Sequence, residues 1–426
     1  MELFKRKTTL TRRFYSLLCL TILLAFISPP STPALAFNAT DKVALADFYW
    51  WYPWYGAQWL SQGKWQVAVN DNGNLRQDAF RYPFSNPIPY LKSSEHTTGD
   101  VDPIATTRAT AWFRGNFTRA KAAGIDVMAI MTRPDLPEWK YALGLMIDAI
   151  HAMKVAGVPT PKLLFHYDGL EYWNGIGTGS LNAAGPVFNK VSDGTIDTFA
   201  VVKAKLAQYP DLPLADLLYI DGTRIPIIVY RVENTDQLFT ATDWWLDQLK
   251  LNFTATNANT ALQGYSLYMI LDEKWCSTAY GTLGSNIDLK SCNGDDYYRW
   301  SGAYERVILP IYPAGRDFSK EPQIVTIGPG FDNHLIVPGT TKFNPRSYPG
   351  PVYTLSSQFS TVINSVFRES PDRPHWILIE TFNFGEEGTN IDDTVEFGTL
   401  YRDLTRSALN SWKGVVSPAP TAVAQH

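Results

Sequence analysis

Eight short apolar runs, with helical patterns between most of them, constrain this fold more than any other feature of the chain. The runs are Val43–Trp51, Ile125–Met131, Lys162–Asp168, Ile225–Arg231, Ser266–Glu273, Val307–Tyr312, Gln323–Gly328 and His375–Asn383. Each is apolar nearly throughout rather than alternating, as strands covered on both faces are. The helical patterns are Arg114–Ala123, Trp139–Ala156, Thr198–Gln208, Asp243–Asn252, Ser356–Glu369 and Thr394–Trp412. The first two run into Gly124 and Gly157, the glycine stop of a helix. Strand and helix in alternation make a parallel sheet. Eight such units predict an α/β fold, a (β/α)8 TIM barrel in a single domain. The rival, an open doubly wound sheet, usually carries a Gly-rich phosphate turn after its first strand, and none follows Val43–Trp51. Two connections are long: Tyr52–Arg114 after the first strand and Lys274–Arg306 after the fifth. Both leave strand C-termini, the face on which a barrel builds its site.

The ends of the chain lie outside this pattern. Lys5-Arg6-Lys7 and Arg12-Arg13 precede an apolar stretch, Leu17 to Ile27, and Ala34-Leu35-Ala36 follows as a small-residue cleavage signal. That is the anatomy of a secretory signal peptide over residues 1–36, cleaved after Ala36. The apolar stretch is shorter than the ~20 residues a membrane span needs, and no other segment reads as transmembrane. The domain is expected over 37–413, with a disordered tail, Gly414–His426, that contains Ser-Pro-Ala-Pro. The signal peptide takes Cys19 with it. Cys276 and Cys292 remain as an even pair in an oxidising compartment and read as a disulfide, with two free buried thiols as the alternative. In the chain-entropy view, closing that loop contributes roughly 3 kcal/mol.

Charge narrows the partner. A net charge of −4 over 426 residues gives no footprint for nucleic acid or an acidic membrane surface. Strand C-termini carry Trp50, Trp51, Tyr52, Trp54 and Tyr55 after the first strand, then His166, Tyr167 and Asp168, Tyr230, Asp272 and Asp332. This rim is rich in rings and acids and poor in cations. A phosphate or carboxylate ligand calls for Arg and Lys; a neutral polyol calls for aromatics, carboxylates and amides. The eighth run delivers Glu380, Asn383, Glu386 and Glu387, a cluster of acids flanked by Gly385 and Gly388. Paired carboxylates without metal or phosphate signatures suit glycoside hydrolysis. No cofactor is implied, and no His or Cys stands at metal-ligand spacing near the cysteines.

Five segments, in order, resemble glycoside hydrolase family 99 and its relatives. Phe48–Gly56 resembles the family's opening FYYPWYG, and Gly63-Lys64-Trp65 fits the family's next few residues. Ala122–Val127 resembles its entry to the second strand, and Lys162–Tyr167 its third strand. Ile327–Asp332 is similar to its VGPGY segment, and Phe382–Asp392 to its FNEWHEGTxIE motif. The resemblance implies a (β/α)8 barrel that cleaves α-mannosidic links within chains, with retention and without metal, using two carboxylates of the last motif. Position by position, the general acid/base falls on Glu387. The other carboxylate, which deprotonates the sugar's 2-hydroxyl, falls on Phe384, and the family's Trp and His fall on Gly385 and Glu386.

The chain therefore reads as a secreted glycoside hydrolase acting on a polysaccharide or glycan, with Glu387 as acid. Glu386 or Glu380 is its candidate partner, or Asp272 or Asp168 activates water in an inverting reaction. Phe384 supports an alternative, a carbohydrate-binding protein on a hydrolase barrel. A barrel enzyme for a non-sugar substrate is the third reading.

Overall fold

In the computed structural model, the residues described are 42–50, 103–133, 139–168, 184–230, 249–272, 296–298, 324–329, 375–383, 390–393 and 398–415. All belong to one unit, Ala39–His426. Eight strands lie in it: β1 Lys42–Phe48, β2 Val127–Thr132, β3 Lys162–Asp168, β4 Arg224–Tyr230, β5 Ser266–Asp272, β6 Asp296–Tyr298, β7 Ile324–Ile327 and β8 His375–Ile379. Every pairing is parallel, in sequence order, and β8 pairs back onto β1. Four to six residues pair at each junction of the arc β7-β8-β1-β2-β3-β4-β5. The β6 strand has three residues and meets β7 through one pair, Tyr298 with Ile324.

The helices are α1 Pro103–Ala122, α2 Trp139–Val155, α3 Ala184–Gln208, α4 Leu214–Leu217, α5 at 249–256 and α6 Leu400–Lys413. On α2, buried Trp139, Ala142, Leu143, Met146, Ile150 and Met153 recur at the three- and four-residue spacing of one helical face. Gly124, Gly157 and Gly414 follow α1, α2 and α6 with φ of 85°, 67° and 73°. These are left-handed caps that a side chain opposes, and the first two are the stops read from the sequence.

Which face each strand residue takes is set by the helices. Phe48 of β1 packs on Trp112, Phe113 and Phe117 of α1, with ring centroids 5.7–6.2 Å apart. Phe165 of β3 meets Trp139 and Phe199 edge-on. The outer face is therefore aromatic, and alternation turns the neighbours of Phe48 and Phe165 to the inner face. At the start of β1 and the end of α6 the two ends of the fold are tied together. Lys42 donates to the Trp412 carbonyl at 2.5 Å, and Lys413 reaches the Gly124 carbonyl and Asp126.

Three sequence expectations need correction. The strand between β5 and β7 is Asp296–Tyr298, inside the expected long loop; Val307–Tyr312 lies outside the described residues. A three-residue strand with a polar lead has too little apolar pattern to compete with Val-Ile-Leu. The helix after the first loop starts at Pro103 rather than Arg114. Its first turns are rich in Thr and Ala and carry no apolar stripe, while proline at a first helical position loses no hydrogen bond. Helix α3 begins at Ala184 rather than Thr198, because Gly185, Pro186 and Gly194 read locally as loop. The Ser356–Glu369 helix lies outside the described residues.

Candidate active site

The C-terminal ends of β1 and β8 are stitched together by backbone and side chain. The Glu380 N–H donates to the Ile327 carbonyl at 2.8 Å, and the Phe382 N–H to the Asp47 carbonyl at 2.7 Å. Asn383 then acts as a surrogate strand residue. Its Oδ1 accepts from the Tyr49 N–H and its Nδ2 donates to the Tyr49 carbonyl, both at 2.8 Å and buried. The chain returns at once: the Ile391 N–H reaches the carbonyls of Thr381 and Phe382 at 3.1 Å, and the Asp392 N–H reaches that of Phe382 at 2.9 Å.

A charged clamp holds this return. Asp392, with a fully buried side chain, takes a bidentate contact from Arg119 of α1: Nε to Oδ1 at 2.6 Å and Nη2 to Oδ2 at 2.9 Å. Asn116 accepts a further bond from the same guanidinium at 3.1 Å. Burial works against the charge on Arg119, but the attraction and hydrogen bonds of Asp392 more than offset it, so its pKa is raised. Next door, Asp393 pairs with Arg402 at 2.6 Å. Burial pushes the Asp393 carboxyl up, with Arg402 pulling the other way.

On the inner face, Asp47 of β1 meets His166 of β3, Oδ1 to Nδ1 at 2.6 Å, with both side chains fully buried. Burial raises the Asp47 pKa, and the attraction and hydrogen bond of His166 pull it back. Tyr167 points the opposite way. Its phenol is buried towards α3 and burial pushes its pKa up to about 12. Thr195 and Thr198 offset part of that, although the hydroxyl makes no well-formed hydrogen bond.

Of the residues expected to carry chemistry, the structure brings Glu380, Asn383, Trp50 and His166 to this end of the sheet. Glu380 is 3% exposed and follows β8 directly. Trp50 is fully buried, donates from Nε1 to the Met131 carbonyl at 2.8 Å, and packs 5.4 Å from Trp139. That is a wall position beneath the rim. Tyr167 belongs to the interface between sheet and helix rather than the inner face. Asp168, Tyr230 and Asp272 are the last residues of β3, β4 and β5. Glu386, Glu387, Trp51, Tyr52, Trp54, Tyr55, Asp332, Cys276 and Cys292 lie outside the described residues. Sequence reasoning missed Asp47 and Arg119. A lone acid within Val43-Ala44-Leu45-Ala46-Asp47-Phe48 was a usable signal. Arg119 had none, because its partner lies on a distant segment.

Among the described residues, no group of three His, Cys, Asp or Glu side chains is arranged to hold a metal. None of their helices is long and apolar enough to cross a membrane.

No family model matches the chain, and no curated protein matches it. Among solved structures it is similar to GH99 endo-α-mannosidases, members of the family whose motifs the sequence resembles. One is the Bacteroides thetaiotaomicron enzyme bound to bis-tris propane, at 13% identity and a TM-score of 0.46, covering 87% of this chain and 98% of the other. A second structure of that organism's GH99 endo-α-mannosidase gives 14% identity and 0.45 over the same shares.

Proposed function

We propose that the chain is an exported glycoside hydrolase, a (β/α)8 barrel over residues 37–413 acting on a polysaccharide or glycan, with Glu387 as general acid. The observation that carries this reading is the bracketing of residues 384–389. The backbone before them, Phe382 and Asn383, bonds to Asp47 and Tyr49, and the backbone after them, Ile391 and Asp392, returns to Thr381 and Phe382. A segment bearing Glu386 and Glu387 thus starts and ends where β8 meets β1, at strand C-termini, where barrels do their chemistry. The rings and acids that the sequence sets after the strands, with few cations among them, support a neutral sugar. Glu386 or Glu380 supplies the second carboxylate, and Asp168 or Asp272 serves if the reaction inverts. Export by cleavage after Ala36 and a Cys276–Cys292 disulfide belong to the same proposal.

Hydrolysis is tested by reducing-end release from a panel of oligo- and polysaccharides. Glu387→Gln should lower the rate at least ~100-fold, the usual contribution of a positioned general acid. A variant with full activity overturns the assignment.

One observation favours a second reading. Phe384 stands where the resembling family has a carboxylate, and phenylalanine takes no proton. A chain that binds glycans but releases no reducing ends over days is a carbohydrate-binding protein on a hydrolase scaffold.

A further inference from the structure

Arg119 does not reach Asp392 unaided. Trp112, Asn116 and Arg119 stand four and then three residues apart on α1, along one face of the helix. The amide of Asn116 is 1% exposed and bonded at both ends. Its Nδ2 donates to the Trp112 carbonyl at 2.8 Å, and its Oδ1 accepts from Arg119 Nη2 at 3.1 Å. The same Nη2 donates to Asp392 Oδ2, while Asp392 Oδ1 accepts from Arg119 Nε and from the Asp393 N–H at 2.9 Å. Guanidinium and carboxylate are thus held in orientation as well as in place. Trp112 packs on Phe48 of β1, so the line of contacts runs from the first strand, through α1, to residue 392.

A buried ion pair and a buried amide are an expensive way to hold a loop. Apolar side chains of similar volume are often neutral or better for stability. What they lack is direction, which a two-pronged guanidinium supplies. A local rule broken to gain direction points to function. The place fits that reading. Residues 384–389, which include Glu386 and Glu387, are bracketed by Asn383, bonded to Tyr49, and by the Ile391–Asp392 return. Fixing both ends of so short a span restricts the conformations between them.

We propose that Arg119 is a positioning residue for Glu387, acting through Asp392, and that Asn116 sets the orientation of Arg119. The inference rests on the glycoside hydrolase reading above. A general acid works only within hydrogen-bond reach of the oxygen it protonates, and a misplacement of about 1 Å can cost on the order of 100-fold in rate. Such a loss falls on kcat rather than KM, because the interaction lost belongs to the transition state.

The mature chain and its variants are assayed by reducing-end release on the same panel of oligo- and polysaccharides, soluble α-mannan among them. kcat and KM are taken on the sugar cleaved fastest, at a temperature where every variant is folded. The informative protein is Arg119→Met/Asp392→Leu, in which no uncompensated charge remains. Its unfolding midpoint should return close to that of the wild type, while kcat stays at least ~10-fold down and KM moves by less than about threefold. Asn116→Leu keeps both charges and serves if the double variant does not fold; its kcat should fall at least about threefold at nearly unchanged stability. Wild-type kcat in these variants overturns the proposal, while loss of release in Glu387→Gln keeps the hydrolase reading standing. A kcat that simply follows the unfolding midpoint across Arg119→Met, the double variant and Asn116→Leu marks a structural role and overturns it too, as does a change in KM alone. A wild type that releases no reducing ends from any sugar of the panel overturns both readings.

Discussion

Breaking the Arg119–Asp392 clamp should cost about 3–5 kcal/mol, far more than an ordinary ion pair. The number rests on burial and geometry. Two charge-assisted bonds, at 2.6 and 2.9 Å, join a fully buried carboxylate to a guanidinium whose side chain is 13% exposed. Arg119→Met leaves Asp392 charged with no partner of comparable strength, and removing one member of a buried pair costs about 3–5 kcal/mol. Counting the bonds gives the same scale, at roughly 1.5–3 kcal/mol for each hydrogen bond to a charged group. Urea unfolding should register this as a midpoint shift of about 1–1.7 M for a slope near 3 kcal/mol/M. The double variant Arg119→Met/Asp392→Leu should recover most of the loss, since no uncompensated charge remains. Two results refute the reasoning. One is a single-variant cost below about 1 kcal/mol, the level of a surface pair. The other is a double variant whose cost equals the sum of the singles, which means no coupling.

Two more outcomes are expected at the same end of the sheet. Asn383→Ala should cost about 1–3 kcal/mol in thermal or chemical unfolding, because it strips partners from a buried backbone N–H and carbonyl. Asn383→Asp should do no better, since a carboxylate cannot donate to the Tyr49 carbonyl; near-native stability for that variant defeats the surrogate-strand role of Asn383. Tyr167 sets an alkaline limit. Below about pH 10 its phenol is neutral whether the chain is folded or not. Above that the unfolded phenol ionises, while the buried one stays neutral until about 12. Stability therefore falls by about 3 kcal/mol across that window. Tyr167→Phe should remove that part of the slope, read as the difference between wild type and variant in urea unfolding at about pH 9 and about pH 12.

Legibility in the sequence followed the range of the forces involved. β3 was readable to the residue, because Lys162–Asp168 is one apolar run flanked by polar turns and its boundaries are local. The caps at Gly124 and Gly157 were readable for the same reason. β6 was not, since Asp296–Tyr298 owes its strand state to the edge offered by β5, through Ile270, Leu271 and Asp272, rather than to its own composition. Asn383 was legible as a polar residue at a strand end, but its role as a backbone surrogate for Tyr49 was not, because the two are 334 positions apart. Asp47 and His166 show the same limit: each sat in plain sight on an apolar run, and only the curvature of the sheet makes them a pair. Trp50 is the converse, an aromatic that read equally as rim or core and that the structure gives to the core.

The tie between Lys42 and Trp412 bears on how the protein can be made. That contact joins positions 370 apart, and β1 pairs with β8 just beside it. The first strand must therefore wait for β8 and everything between the two to be synthesised before it finds its final neighbour. Until β8 emerges, β1 has only its pairing with β2 to hold it within the sheet. The tie also means the fold's beginning and end lie about one lysine side chain apart. A short linker between them, with new termini cut elsewhere on the surface, should give a circularly permuted protein that folds without waiting for its own tail.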